Sequence, residues 1–277
     1  MKFVGETITS RNNQLIKWAG SLLDKKYRNI EQSFIIEGEK LTYEALAGGL
    51  TVSHIFVSQS MWEKNLDRLK VYEKNEKYEN TSVICVSDGT FDKISSEKSP
   101  QGIISVLKYL DFFNNIDIIY KEEFFLDPSE KALMLYSVRD PGNLGAVIRS
   151  AVAFGIKHIV LSDDCADVYN SRTVRAAMGS LFKIRITTVS DFASAVCAAR
   201  ESGRRVFAAE LTERAVAVDK VGLKASDVFI IGNEGHGIDK SVSDLATGSV
   251  FIPICPETES LNASVAASVL MWEIGKL

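Results

Sequence analysis

Short apolar runs alternate with helix-length segments along this whole chain, and that rhythm restricts it to an α/β architecture. The runs Ala132–Val138, His158–Ser162, Ile184–Val189 and Val228–Ile231 are apolar along their length, with little apolar–polar alternation. A strand apolar on both faces must be covered on both, as in a mostly parallel sheet flanked by helices. Upstream, the pattern predicts helix 11–23, strand Phe34–Ile36, helix 39–48, strand His54–Ser58, helix 61–70, strand Val83–Ser87, a short helix 88–95 and strand Ile103–Tyr109. Downstream it adds helices 143–154, 172–181, 191–201 and 260–275, and strands Arg205–Ala209 and Val250–Ile254. Gly155 and Gly203 fall where a helix C-terminus favours a residue free to turn left-handed.

A chain of 277 residues suggests two domains. Residues 110–130 mix charge, aromatics and turn formers, with one short strand expected at Ile116–Tyr120. The expected division is therefore 1–107, a connector 108–130, and 131–277. No apolar run reaches the ~18 residues of a membrane helix, and Met1–Ser10 lacks the apolar core of a signal peptide. A cytoplasmic protein without a membrane segment is the expectation. Cys85, Cys165, Cys197 and Cys255 form no CxxC pair, and with three histidines they make no metal-site pattern. Reduced, mostly buried thiols and no metal are expected.

The formal charge of −4 argues against a generic nucleic-acid glue, but the charge is uneven. Residues 1–30 carry Lys2, Arg11, Lys17, Lys25, Lys26 and Arg28 against Glu6 and Asp24. With Trp18 and Tyr27 nearby, these cations could contact phosphates or simply form a solvated basic surface.

Three segments carry the chemistry. Asp140-Pro-Gly-Asn-Leu-Gly-Ala-Val-Ile-Arg149 joins a strand to a helix; Asn143 is placed to cap that helix, and Arg149 stands among small apolar residues. Ile230-Ile-Gly-Asn-Glu-Gly-His-Gly-Ile238 runs from a strand into a loop that exposes backbone groups to a flat ligand. It is neither a Rossmann nor a P-loop fingerprint. Ile252-Pro-Ile-Cys-Pro-Glu-Thr-Glu-Ser-Leu-Asn262 leads into a helix of small residues. Singly, each has an ordinary reading: Arg149 a surface arginine, Glu234 a turn residue, His236 an exposed loop histidine, Ser260 and Asn262 helix caps.

Together and in this order, Asn143-x-Gly-x-x-x-Arg149, Gly232-Asn-Glu-Gly235 and Ile252-Pro … Ser260-Leu-Asn262 resemble the three motifs of the SpoU/TrmH family of RNA 2′-O-ribose methyltransferases, in the SPOUT superfamily. Val174-Arg-Ala-Ala-Met-Gly-Ser-Leu-Phe182 and Phe34-Ile-Ile-Glu-Gly-Glu-Lys-Leu41 are similar to further stretches of that family. Pro256 departs from it, where a glycine is common.

The resemblance implies a C-terminal SPOUT domain with a mostly parallel sheet and a deep trefoil knot, behind an N-terminal L30-like α/β substrate-binding domain. It implies S-adenosylmethionine as cofactor, with Gly232, Ile252 and Leu261 lining the adenosine pocket. Arg149, Asn143, Glu234, Ser260 and Asn262 would form the catalytic set, with Glu234 pairing Arg149. RNA would dock on Arg11, Lys17, Lys25, Lys26 and Arg28. The expected substrate is ribosomal RNA and the expected assembly a homodimer through the knotted domain. Transfer RNA as substrate, base methylation, a non-catalytic RNA-binding protein on a SPOUT fold, and a generic nucleotide-binding α/β enzyme are the competing readings.

Overall fold

In the computed structural model, which describes residues 1–110, 113–116 (backbone only), 126–127 and 129–277, the chain divides into two compact units. The first comprises Met1–Leu110 with Tyr169–Phe182, the second Asp111–Val168 with Lys183–Leu277.

The first unit runs β1 (Lys2–Ile8), α1 (Gln14–Ser21), α2 (Lys25–Glu31), β2 (Ser33–Glu37), α3 (Glu39–Ala47), β3 (Val52–Ser58), α4 (Trp62–Lys70), β4 (Ser82–Val86), α5 (Asp88–Phe91) and β5 (Ile103–Lys108). Its sheet has the order β1-β4-β3-β5-β2, with β5 antiparallel to both neighbours and the other pairs parallel. The expected 11–23 helix is shorter, because Asn13 caps α1 by accepting the Leu15 N–H at 2.8 Å. β1 is absent from the sequence expectation: it is an edge strand whose residues are mostly exposed, so it shows no apolar run. α2 was likewise hidden, inside the basic stretch.

The second unit contains β6 (Phe113–Ile116), β7 (Ala132–Leu135), α6 (Pro141–Ala153) and β8 (His158–Ser162). The chain then gives α7 (Ser171–Ala177) to the first unit. It returns with β9 (Arg185–Val189), α8 (Phe192–Glu201), β10 (Val206–Ala209), β11 (Val216–Ala217), β12 (Val228–Ile231), α9 (Lys240–Ser243), β13 (Gly248–Phe251) and α10 (Ala263–Gly275). The sheet order is β11-β13-β10-β12-β7-β8-β9-β6, every pair parallel. The strand expected at 116–120 is instead β6, pairing with β9 from Phe113 to Ile116; positions 117–120 of that expectation lie outside the described residues. The connector therefore contributes a strand to the second sheet.

Both faces of this sheet are buried, as uniformly apolar strands require. Met134, Val160, Ala208 and Ile230 pack with Ala195 and Val196 of α8 and Val242 of α9. The alternate positions Leu133, Leu135, Ile159, Leu161 and Phe229 are no less buried. Each such side chain contributes about 1.5–3 kcal/mol by leaving water. Gly155 and Gly203 do end their helices, at φ 79° and 86°. The thiols depart from expectation: all four are free, but only Cys85 is buried and Cys255 is exposed. Among the described residues, no helix is long and apolar enough to cross a membrane.

Candidate active site

β7 and β12 are neighbours in the parallel sheet, so the loops leaving their C-terminal ends meet beyond the same edge. That crevice is where open parallel sheets take ligands. Asp140, not Asn143, caps α6: its carboxylate accepts the Asn143 N–H at 2.8 Å, and Pro141 supplies a pre-set φ in the first turn. The expected cap is thereby corrected, and the Asn143 amide is released for other work. Its Nδ2 donates to Glu234 Oε1 at 2.5 Å, while its Oδ1 accepts from Asn262 Nδ2 at 3.1 Å. Asn262 does cap its helix as expected, accepting the Ser264 N–H at 2.9 Å. Two hydrogen bonds thus tie the three motif loops, from residues 119 and 91 positions apart in the chain.

The glycine-rich loop is built around Asn233, to which sequence reasoning gave no role. Its backbone exchanges hydrogen bonds with Gly237 at 3.0 and 2.9 Å. Its Oδ1 accepts the Gly235 and His236 N–H groups, and its Nδ2 donates to the Ser137 carbonyl at 2.8 Å. Gly232 cannot carry a side chain, because a Cβ would lie 2.5 Å from both the carbonyl carbon and the oxygen of Gly237. Beyond the loop, Asp239 accepts the Tyr136 hydroxyl at 2.6 Å, which pushes that phenol up to about 12.

Ser137 is a second residue missed. It adopts φ 54°, a costly conformation for a non-glycine. Several bonds hold it there: its N–H donates to Ser162 Oγ at 2.8 Å, its Oγ to Asp164 at 2.5 Å, and its carbonyl accepts from Asn233. Burial would raise the Asp164 carboxyl, but the hydroxyls of Ser137 and Ser162 and the Arg139 guanidinium outweigh it and hold the group below its ordinary value. No motif or spacing marks this cluster.

Arg149 lies on α6, exposed, and among the described residues makes no hydrogen bond or ion pair. The expected Glu234–Arg149 pair is not formed; Glu234 accepts the Asn143 amide. The face beside Arg149 is fixed by α10: Ser268 donates to Ser150 at 2.9 Å, and Trp272 meets Phe154 edge-on at 5.7 Å. Ser260 is exposed, and no hydrogen bond connects it to the other motif residues. Ile252 and Leu261 are half-buried where β13 ends and α10 begins. A side-chain-free Gly232 and two partly open apolar residues suit the backbone contact and purine faces of an adenosyl group.

Of the basic residues expected at an RNA surface, Lys17, Lys25 and Lys26 are exposed, and Arg11 is exposed with its Nε donating to the Gly89 carbonyl at 2.8 Å. Arg28 is a correction: it is 2% exposed, and its Nη1 donates to the Leu22 and Leu23 carbonyls at 2.9 and 2.7 Å. It closes the α1–α2 turn and is not available to a phosphate.

Comparisons with known proteins point to one family. Residues 130–272 match the model of the SpoU rRNA methylase family, and residues 13–105 match an MRM3-like substrate-binding domain. The 23S rRNA (guanosine(2553)-2′-O)-methyltransferase RlmP of Bacillus subtilis (strain 168) is 30% identical over 269 residues, spanning 96% of this chain and 98% of that one. The mitochondrial rRNA methyltransferase 3 of Xenopus laevis is 26% identical, over 90% of this chain and 70% of its own. The crystal structure of the AdoMet-bound rRNA methyltransferase from Sinorhizobium meliloti superposes with a TM-score of 0.80 at 26% identity, covering 98% of this chain and 97% of that one. With a family match across more than half its length and its three motif loops joined at one sheet edge, this chain belongs to the SpoU methylase family.

Proposed function

We propose that the protein transfers the S-methyl group of S-adenosylmethionine to a ribose 2′-hydroxyl of ribosomal RNA. The observation that carries this reading is the pair of hydrogen bonds joining Asn262, Asn143 and Glu234, which gathers three distant loops around one crevice. The AdoMet-bound neighbour and the RlmP relative support the cofactor and the substrate.

The sulfonium of the cofactor supplies an already activated methyl group. The chain's own task is to position the hydroxyl and manage its proton. Asn143, Glu234 and Asn262 brace one another, so the loops are pre-organised and little ordering is left to be done on binding. Arg149 is the cation available for the RNA: permanently charged, it cannot act as a base. It binds the phosphate or ribose at the target and lowers the hydroxyl's pKa through its field. Gly232, Ile252 and Leu261 hold the adenosine moiety, and Ser260 orients the bound groups from the exposed end of its loop. Arg11, Lys17, Lys25 and Lys26 position the RNA backbone.

The same reading includes a trefoil knot. Its support is that α10 packs along α6, which follows β7, although β13 stands two strands beyond β12. It also includes a homodimer through this domain, supported by Val265 and Trp272, which are 48% and 52% exposed on α10, and a cytoplasmic location.

The test is nucleotide-resolution mapping of ribose methylation in total RNA from cells with and without the protein. One 2′-O-methyl group in ribosomal RNA should disappear with the gene and return with its expression. Loss of a transfer-RNA methyl instead, or no loss at all, contradicts the reading.

A further inference from the structure

The first unit holds a pocket of about 570 Å³ that the methyl-transfer chemistry does not use. It opens where β2, β3 and β4 end and β5 begins, and Glu39, Ser58, Asp88 and Gly102 mark those four strand ends. Its size falls within the range of about 300–1,000 Å³ typical of small-molecule sites.

Gly38 and Gly102 take φ 107° and 76°, and a Cβ on either would come within 2.6 Å of Gln101 Oε1 or Ser58 Oγ respectively. Glu39 is anchored by Lys64 Nζ at 2.8 Å and Arg68 Nη1 at 3.0 Å. Asp88 Oδ1 accepts both the N–H and the hydroxyl of Ser60, at 3.2 and 2.7 Å. A carboxylate accepts about four hydrogen bonds, so Asp88 retains capacity. Asp92 adds a further exposed carboxylate, while Met61, Phe91 and Pro100 supply apolar surface.

The chemistry selects the ligand. Lys64 and Arg68 neutralise Glu39, which leaves Asp88 and Asp92 as the open carboxylates of the lining, so the interior disfavours phosphate and attracts hydrogen-bond donors. Outside that lining, the Arg11 Nε donates to the carbonyl of Gly89, the residue that follows Asp88. A site that accepts donors inside, with a cation anchored one residue beyond Asp88, fits a base whose own backbone phosphate lies outside. Among RNA bases, guanine alone presents two adjacent donor groups, N1–H and the 2-amino group; adenine and cytosine offer one amino group each. Protein sites for unpaired RNA bases work by this kind of edge contact.

We infer that this pocket binds a guanine base of the RNA, with the Asp88 carboxylate on its donor edge and Arg11 on the adjoining phosphate. The inference rests on the RNA substrate proposed above.

The test is NMR titration of the full-length protein with guanosine, inosine and adenosine 5′-monophosphates. GMP should move the amide signals of residues 38–39, 58–64, 88–92 and 100–102. IMP, which lacks the 2-amino group, and AMP should bind at least tenfold more weakly. D88N should weaken GMP tenfold and raise the KM for RNA, with S-adenosylhomocysteine affinity unchanged as the control for folding. Absent shifts at these residues, equal binding of AMP, or indifference to D88N would overturn the assignment. Methylation of RNA without GMP binding defeats the pocket alone; GMP binding without RNA methylation defeats the proposed activity alone.

Discussion

Gly232 and Asn143 show how little a single residue reveals before its neighbours are placed. Gly232 stood out because it lies in a loop dense with glycine, yet its φ is ordinary. What demands glycine is the Gly237 backbone 2.5 Å from where a Cβ would be. Backbone atoms cannot step aside as a flexible side chain can. Gly232→Ala should therefore distort the loop and weaken S-adenosylhomocysteine binding by about tenfold or more, some 1.4 kcal/mol; calorimetry on the purified variant reads this. Unchanged affinity would mean that the loop does not line the cofactor pocket. Asn143 was legible as a motif residue but misjudged as a cap, because Asp140 and Asn143 are both capable side chains at one helix entrance and only the backbone geometry separates them.

At the scale of elements, the uniformly apolar strands and their helices were readable because burial on both faces leaves a plain compositional trace. Edge strands leave none: β1 is mostly exposed and β6 sits in a stretch mixing aromatics with charge, so neither produced a correctly placed expectation. α6 depends on its cap, and Asp140→Ala should cost about 1 kcal/mol of unfolding free energy, measured by urea denaturation. The loss should be accompanied by slower methyl transfer, since the same turn places Asn143. β8 and β9 share a buried polar contact, His158 Nε2 with Thr187 Oγ1 at 2.8 Å. Burial, aided by the Arg185 and Arg204 charges, pushes His158 down to about 4 from 6.5. The unfolded chain therefore binds a proton that the folded chain refuses between those values. Stability from this residue is complete above pH 6.5 and falls as the pH drops toward 4, by at most about 3 kcal/mol. Unfolding free energies measured from pH 7.5 to 4.5 should show a shallower slope in His158→Gln than in the natural protein; equal slopes would contradict the buried, neutral imidazole.

For the molecule as a whole, the chain forms two units whose bounds differ from the expected division, and its route between them was not legible. Residues 169–182 belong to the first unit although the residues on either side of them belong to the second, and no local pattern announces such an excursion. Family resemblance, carried by three short motifs, supplied what periodicity could not. The structure then joined those motifs through Asn262, Asn143 and Glu234 and left Arg149 exposed and unengaged by any described side chain. In this view the crevice is preassembled by amides and a carboxylate, and the arginine is held in reserve for the RNA. Single-turnover transfer of a labelled methyl group to ribosomal RNA by Arg149→Ala, with S-adenosylhomocysteine affinity measured on the same sample, separates those two roles. Transfer should fall by about 100- to 1,000-fold while affinity for S-adenosylhomocysteine stays within about twofold of the natural protein's. Near-normal transfer, or cofactor binding lost along with it, would show that Arg149 does not serve the ribose.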